Sequence, residues 1–553
     1  MRRDIKTSLH RQRGYLMIVA VILILLVGTL SATMVSLFVG SATATNNFTQ
    51  SNNTYYLAEA GFEETARLLL TPTLTGSNGR IACASISSNS NLTNTSFGSG
   101  TFTATTVSGS PVYVSTTLSS AINSSVTTIP VASTSGFAAA GRIVIDGEVI
   151  NYGGTSGGNS FIGVQRGANE NYNTPHASGA PVAQYQCNVN VTAGIPNLTS
   201  PLYQRTIQQS LQLQEGWAAG AVSGSNFVFT RWNRPTEVSW SSSLVSNSSA
   251  ATINSISMLS NADGWAVGNV VGSAFTLLNW NGSSWTLAAS PSACSGQNLT
   301  GVSAVYHQEA WAVGPTTKSN GSCTSGGQRR YTVLYWNGTS WTTLTPSTTP
   351  SIPADSNSNQ NLNAVAVIDA TQSGAGTLGF AVGNSGTILQ YNGSNWVSVS
   401  SPTTNNLFGV YVVSGSEAWA VGSSGTIIEW NGSTWSTVSS PTATQLNSIA
   451  MLDDTLSGHA ETGWAVGNSG VAISYNGSSW SSNNTGSASN LYGVALFFTN
   501  PDQDIWAVGA GGTIMHYNGT SWASVTSNVT QQLNGISLIA PQQYAFAEEE
   551  IFP

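Results

Sequence analysis

Residues 407–438 read LFGVYVVSGSEAWAVGSSGTIIEWNGSTWSTV, and the organisation of more than half the chain follows from them. Leu407-Phe408-Gly409-Val410 opens one run of β-formers and Trp419-Ala420-Val421-Gly422 a second. Gly425-Thr426-Ile427-Ile428-Glu429-Trp430 is a third, and Trp435 begins a fourth after Asn431-Gly432. Apolar and aromatic runs bounded by Gly, Ser and Asn-Gly are strand and turn signals, so four short antiparallel strands are expected. Asn-Gly is the preferred dipeptide of a type I′ hairpin, expected between the third and fourth strands.

The same three signatures recur in fixed order. Trp-Ala-Val-Gly or a close variant begins at Trp217, Trp265, Trp311, Phe380, Trp419, Trp464 and Trp506. Each copy is followed by two aromatic residues, as in Trp280 and Trp285 or Tyr475 and Trp480, and copies are separated by a Leu-x-x-Val or Leu-x-x-Ile run such as Leu299 to Val302. A period of about 40–48 residues suits a four-stranded propeller blade, so these copies predict a seven-bladed β-propeller over residues 216–553. The small Ala and Gly leave room for neighbouring blades, and the Trp supplies most of the apolar burial. No properly spaced inner strand precedes Trp217. Leu533-Asn534-Gly535-Ile536-Ser537 at the other end supplies one, closing the ring without a free edge. Tyr544-Ala545-Phe546-Ala547 looks like one more copy, without an assigned place.

The order Trp-Ala-Val-Gly, Gly-Thr-Ile, Asn-Gly-x-x-Trp is similar to propellers of the Asp-box and photosystem II assembly-factor type, over roughly residues 216–540. The aspartate that names the Asp-box is replaced here by Trp or Tyr. Sialidases share the architecture, but they need an arginine triad from separate blades beside a Tyr/Glu nucleophile pair. Beyond residue 217 the arginines are Arg231, Arg234, Arg329 and Arg330, at two places only. No catalytic residue and no enzyme activity is therefore expected. Asp453-Asp454 and Asp502-Gln503-Asp504 lack the spacing of a calcium loop, so no metal or other cofactor is expected either. The Asn-Gly-Ser/Thr triplets match the glycosylation acceptor pattern, but turn chemistry alone accounts for them. Ser290–Gln297, Pro315–Arg330, Thr345–Asn361 and Asp453–Thr462 are the longest loops and the candidate contact elements for a host or surface glycan or protein.

Ahead of the repeats the chain begins very differently. Residues 1–14 form a basic leader containing Arg2, Arg3, Lys6, Arg11 and Arg13, and Tyr15–Val39 holds no charge and no proline. As a helix that run would be roughly 37 Å long, enough to cross a bilayer, with the basic side kept in the cytoplasm. Apolar residues continue at helical spacing to Leu70, until Thr71-Pro72 ends the pattern. The leader ending in Gly14, the aromatic Tyr15, the long apolar helix and Leu57-Ala58-Glu59-Ala60-Gly61-Phe62-Glu63 resemble a type IV pilin, specifically a PilX-type minor pilin. The resemblance implies cleavage after Gly14 and methylation of Tyr15 by a prepilin peptidase, and packing of the helix among those of other pilins. Val19 and Glu59 are the helix-assembly positions it marks. Val19 stands where major pilins carry a glutamate, and a subunit lacking that carboxylate is least penalised at a filament tip.

Between helix and repeats, residues 71–215 read as the β part of a pilin α+β domain. Phe97–Val107, Cys187–Ala193 and Gln204–Leu213 alternate in the manner of strands, with Leu57, Phe62 and Leu69 of the helix expected to face them. A segment at about 112–183 reads as an inserted β-module, resembling one found in phage tail and other virion proteins, with a hairpin signal at Asp146-Gly147. Asp146, Glu148, Arg166 and His176 in it read as turn and strand-face residues, since no nucleophile or metal set accompanies them. The four cysteines predict the pairs Cys83–Cys187 and Cys294–Cys323.

Charged residues are only 7% of the chain, with a net charge of −8, which argues for a β-rich exported protein and against a nucleic-acid groove. The expected architecture is mainly β with one long N-terminal α-helix: pilin domain, inserted module, propeller. The expected function is a minor pilin, inserted in the inner membrane as a precursor and then displaying the propeller from an extracellular pilus for adhesion. A filament subunit with a propeller sheath and a membrane-anchored pilus assembly factor are the alternatives. N-terminal sequencing of the mature protein checks the first step: a start at Tyr15 is expected, whereas a start at Thr45, after Ala42-Thr43-Ala44, would remove the pilin reading.

Overall fold

Seven four-stranded sheets and one seven-stranded sheet carrying an α-helix make up most of the structure. The computed structural model describes residues 45–539 except 67, 70–82, 109, 111, 167–172, 213–214, 234–239, 292–296, 319–328, 354–360, 372, 454–456 and 500–501, together with isolated positions between 29 and 43. Gly14, Tyr15, Val19, the pair Cys294–Cys323 and residues 544–547 lie outside the described residues. Among the described residues no helix is long and apolar enough to cross a membrane.

Residues 45–66 and 68–69 are helical (α1), and the helix buries one stripe. Leu57, Ala58, Phe62, Ala66, Leu68 and Leu69 recur at the helical period and share a core with Phe102, Ala104, Val189, Val191 and Ile207 of the sheet. Gly61 sets the closeness of approach: a Cβ there would stand 2.6 Å from the Phe102 ring and 2.8 Å from Val191. Glu63, desolvated and beside Glu59, titrates above its ordinary range.

The sheet is built on one long strand. In chain order its strands are β1 (Thr95–Phe97), β2 (Gly100–Thr106), β3 (Val112–Thr117), β4 (Thr128–Pro130), β5 (Gly141–Ile145), β6 (Glu148–Tyr152), β7 (Gly154–Ser156), β8 (Ser160–Ile162), β9 (Pro181–Ile195) and β10 (Tyr203–Gln212), of which β4, β7 and β8 form a small sheet apart. Strand β9 pairs with β2 along its C-terminal half, with β3 along its N-terminal half, and with β10 on its other edge. The module is thus the far end of a ribbon continuous with the helix-bearing sheet, and β9 runs through its expected boundary at 183. The Cys83–Cys187 disulfide joins the segment after α1 to the middle of β9. The β5–β6 hairpin turns at Asp146-Gly147 with φ of 49° and 85°, the left-handed pair a type I′ turn needs.

From Glu215 the chain forms the ring. In blade 5, Leu407–Ser414, Glu417–Gly422, Ile427–Trp430 and Trp435–Val438 follow one another from the inside outward, the order expected from the sequence. The inner strands, including Ile253–Ser260, Gly301–Tyr306, Leu362–Ile368, Leu446–Leu452 and Leu491–Thr499, adjoin one another in sequence order. Leu533–Ile539 closes the circle by pairing with Glu215–Gly220 as the inner strand of the first blade. The expected type I′ turn at Asn-Gly is corrected by the structure. Trp430 pairs with Trp435, leaving a four-residue loop in which Asn431 Oδ1 accepts from the N–H groups of Ser433 and Thr434, and only Gly432 takes positive φ. The asparagine works through its side chain, as an Asx turn.

Each wedge aromatic of one blade enters the next. Trp217 lies against Trp280 and Trp285, Trp265 against Trp336 and Trp341, Trp311 against Tyr391 and Trp396, and Phe380 against Trp430 and Trp435. Trp419 meets Tyr475 and Trp480, Trp464 meets Tyr517 and Trp522, and Trp506 returns to Trp232 and Trp240 of blade 1. The glycine ending each wedge run is forced by close approach. A Cβ on Gly422 would stand 2.0 Å from the carbonyl oxygen of Asn406, and the other copies repeat this contact. Gly422→Ala should therefore destabilise the ring by about 1–3 kcal/mol or more. Gly415→Ala, with nothing within 4 Å of the added carbon, should stay within about 0.5 kcal/mol in denaturant titrations.

Candidate functional site

Antiparallel order gives the ring two faces. Turns joining first to second and third to fourth strands lie on one face, and turns joining second to third strands and successive blades lie on the other. The module sits on the first. Asp146 Oδ1 accepts from the backbone N–H of His307, in the turn of blade 3, at 2.8 Å. A Cβ on Gly282, in a turn of blade 2, would reach Ser115 at 3.1 Å, and one on Gly374, in a turn of blade 4, would reach the Pro175 carbonyl at 3.2 Å.

Charge is sorted between these faces. Acids two residues ahead of the wedge position (Glu215, Asp263, Glu309, Glu417 and Asp504) are buried at the module-side end of the second strands. Each is satisfied. Glu215 accepts from Arg231 Nε at 2.7 Å and from the Trp217 indole; Glu309 from the Trp311 indole and the Gly376 N–H; Glu417 from the Trp419 indole and the Ala460 N–H. Asp263 pairs with His307 and Asp504 with His516. Burial pushes Glu215, Asp263 and Glu309 above the usual carboxylate range, against the pull of these partners. The turns of the opposite face read Asn384-Ser385-Gly386, Ser423-Ser424-Gly425, Asn468-Ser469-Gly470 and Ala510-Gly511-Gly512. The blade-to-blade connections beside them are Ser-, Thr-, Asn- and Pro-rich, and among the described residues the charges at this end of the strands are Lys318, Arg329 and Arg330 of blade 3. Between two such connections at blade 5 lies an open groove of 530 Å³ whose walls mix Thr403, Asn405, Ser424, Thr437, Ser440 and Thr442 with Ile427, Val438, Pro441 and Ala443. Its hydroxyl and amide groups can exchange hydrogen bonds with a neutral polar ligand and offer no countercharge to an ionic one.

Of the candidate contact loops, Ser290–Gln297, Pro315–Arg330 and Thr345–Asn361 connect strand ends on this second face, around blades 2 to 4, and Asp453–Thr462 connects strand ends on the module side. The wedge positions from Trp217 to Trp506 line the contacts between blades. Asp146, Glu148, Arg166 and His176, read from sequence as separate turn and strand-face residues, meet instead in one buried network. Arg166 donates to both oxygens of Glu148 at 2.8 and 2.7 Å, and His176 lies between Glu148 and Asp146. Among the described residues no group of His, Cys, Asp or Glu is placed to hold a metal ion.

Two recurring devices escaped the sequence reading although their signals are present. One is the acid two residues before the wedge. The other is the Asn after the signature Leu or Ile: Asn254, Asn363, Asn447 and Asn534 each donate to the inner-strand carbonyl of the next blade, at Leu299, Leu407, Leu491 and Ile253. Thr300 does the same toward Leu362.

No protein-family model and no curated protein matches the chain. Among solved structures it is similar to YCF48 bound to D1 peptide, at 16% identity and a TM-score of 0.38, covering 58% of this chain and 97% of that one. YCF48 from Cyanidioschyzon merolae gives 16%, 0.34, 51% and 86%, and the WD40 β-propeller domain of Doa1 gives 13%, 0.34, 52% and 92%. The propeller assignment itself rests on the strand order and ring closure described above.

The buried carboxylates generate a test. Arg231→Met leaves Glu215 without its cation and should cost about 3–5 kcal/mol in denaturant unfolding, whereas the double change Arg231→Met with Glu215→Leu should recover most of that loss.

Proposed function

We propose that the chain is a type IV pilus minor pilin that carries a β-propeller for surface adhesion, at the filament tip or sparsely along the shaft. The observation that carries this reading is the two-part burial of α1. From Thr54 onward its stripe is covered by the sheet, whereas the large apolar residues described ahead of it are open: Met34 at 69%, Val39 at 56% and Phe48 at 69% exposure. Exposed apolar residues on a helix suit packing against sister helices, first among lipids and then in a filament. The sequence features that support the same reading are the basic leader, Gly14, Tyr15 and the Ala58-Glu59-Ala60-Gly61 segment.

Tip or sparse placement follows from size, since a ring of this bulk would crowd a helical lattice of identical subunits. Strand β10 ends at Gln212 and the first blade begins at Glu215, so the ring is joined to the sheet by very few residues. The adhesive surface is the face turned away from the module, where hydroxyl- and amide-bearing turns recur from blade to blade. The partners of this reading are other pilins, the prepilin peptidase, the inner membrane before assembly, and a neutral surface glycan or protein. Deleting residues 217–553 should abolish attachment to the target surface while filaments still form. Undiminished attachment would end the adhesin reading, and absence of the intact chain from sheared filaments would end the pilin reading.

A further inference from the structure

Both ring nitrogens of His176 face carboxylates, Nδ1 at 2.9 Å from Asp146 Oδ2 and Nε2 at 2.8 Å from Glu148 Oε2. Ionised carboxylates only accept, and a neutral imidazole carries one N–H, so the two bonds coexist only with imidazolium. Arg166 completes the set on Glu148, giving two cations and two anions whose side chains are at most 4% exposed. Arg166 also donates to the carbonyls of Asn123 and Thr174, and the Thr174 N–H donates to Glu148. The second oxygen of Asp146 crosses to the propeller, accepting from the His307 N–H at 2.8 Å, and the His307 ring meets Asp263 of blade 2 at 2.8 Å. One carboxylate therefore holds both the imidazolium inside the module and the turn of blade 3 outside it.

We propose that this chain of groups is a proton-dependent latch, in which protonated His176 fastens the module to the turns of blades 2 and 3 and its neutral form loosens that contact. Loss of the proton leaves one of two buried carboxylates without its donor. Glu148 remains fixed by Arg166 and Thr174, so the unpaired one is Asp146, at the tip of the β5–β6 turn, where withdrawal from the propeller restores it to water. The groups facing His176 are Asp146 and Glu148, with Arg166 behind the latter, and those facing His307 are Asp263 and Asp146. Burial opposes charge on His176, but its bonds to Asp146 and Glu148 outweigh burial and raise it above 6.5. A raised histidine contributes fully below that ordinary value and loses its contribution as pH climbs through the folded-state value. Glu148 is burdened by burial yet held below 4.5 by Arg166 and His176, so its contribution is lost only as pH falls further. His307, raised by Asp263 and Asp146 against burial, adds to the loss on the alkaline side. The latch is tightest in mild acid.

The His307 N–H on Asp146 reads the latch directly, whereas the Thr174 N–H on Glu148, which Arg166 keeps fixed, should stay protected throughout. Hydrogen exchange of the full-length chain in detergent micelles, corrected for intrinsic rates, should show His307 protection falling as pH rises beyond the transition, approaching about tenfold per pH unit. Peptides covering Glu417–Gly422 in blade 5 serve as the folding control and should hold their protection. His176→Gln should show low His307 protection throughout, and Asp146→Asn, which needs no imidazolium, should leave only the part of the pH dependence set by the His307–Asp263 pair. His307 protection that is flat across the range in the unaltered chain, or unchanged by His176→Gln while the blade control is intact, overturns the proposal.

Discussion

Each contact between blades depends on one aromatic side chain lodged between two others of the next blade. The centroid separations run from 4.7 Å for Trp311–Tyr391 and Trp464–Tyr517 to 5.8 Å for Trp419–Trp480, and the second partner is met edge-on in every copy, at angles between 67° and 88°. Edge-to-face pairs gain about 0.5–1.5 kcal/mol each beyond the area they bury. The blade has a steric condition of its own, because the wedge strand presses against the start of the inner strand of its blade at its glycine, where no side chain fits. Hydrophobic area, ring geometry and backbone clearance thus act at the same few positions. Phe380 shows that the wedge position needs an aromatic face more than an indole N–H. The Trp217, Trp311 and Trp419 indoles, which do have a buried acceptor, find it in a glutamate two residues back.

A ring assembled this way has no first or last blade once Trp506 reaches Trp232 and Trp240, and the pairing of Leu533–Ile539 with Glu215–Gly220 makes the same closure in backbone. Closure also fixes the two faces. Buried acids gather where the second strands begin, on the side that receives the module, and the turns of the other side, basic strand ends of blade 3 aside, are mostly Ser, Thr, Asn and Gly.

Most of the architecture was legible because it repeats. Strand order, ring closure, the β5–β6 hairpin, the Cys83–Cys187 pair and the helix face carrying Leu57, Phe62 and Leu69 all follow from spacing and periodicity, which local sequence records. What was misread depends on details that spacing does not carry. Asn431 adopts no left-handed conformation, because its side chain caps a four-residue loop; the Asn-Gly dipeptide alone does not distinguish the two turns. Asp146, Glu148, Arg166 and His176 were assigned one at a time; Asp146 lies in a turn, Glu148 in β6 and His176 in an isolated bridge to Ile122, whereas Arg166 lies in a bend outside any strand. Their meeting depends on how the segment from Asn123 to His176 folds back on itself, a long-range arrangement without local signature. The buried acids and the bridging asparagines were visible as repeats but stood beside a stronger tryptophan signal.

The central claim is that interlocking aromatic contacts make the ring one cooperative body, closed by the last wedge on the first blade. Trp506→Ala tests it most directly, followed by hydrogen exchange along all the second strands under mild denaturant. The account predicts that truncation costs about 3–5 kcal/mol and lowers protection together in Glu215–Ser223, Glu417–Gly422 and Thr462–Gly467. Loss confined to the strands touching Trp506, with blades 3 to 6 unchanged, would contradict it.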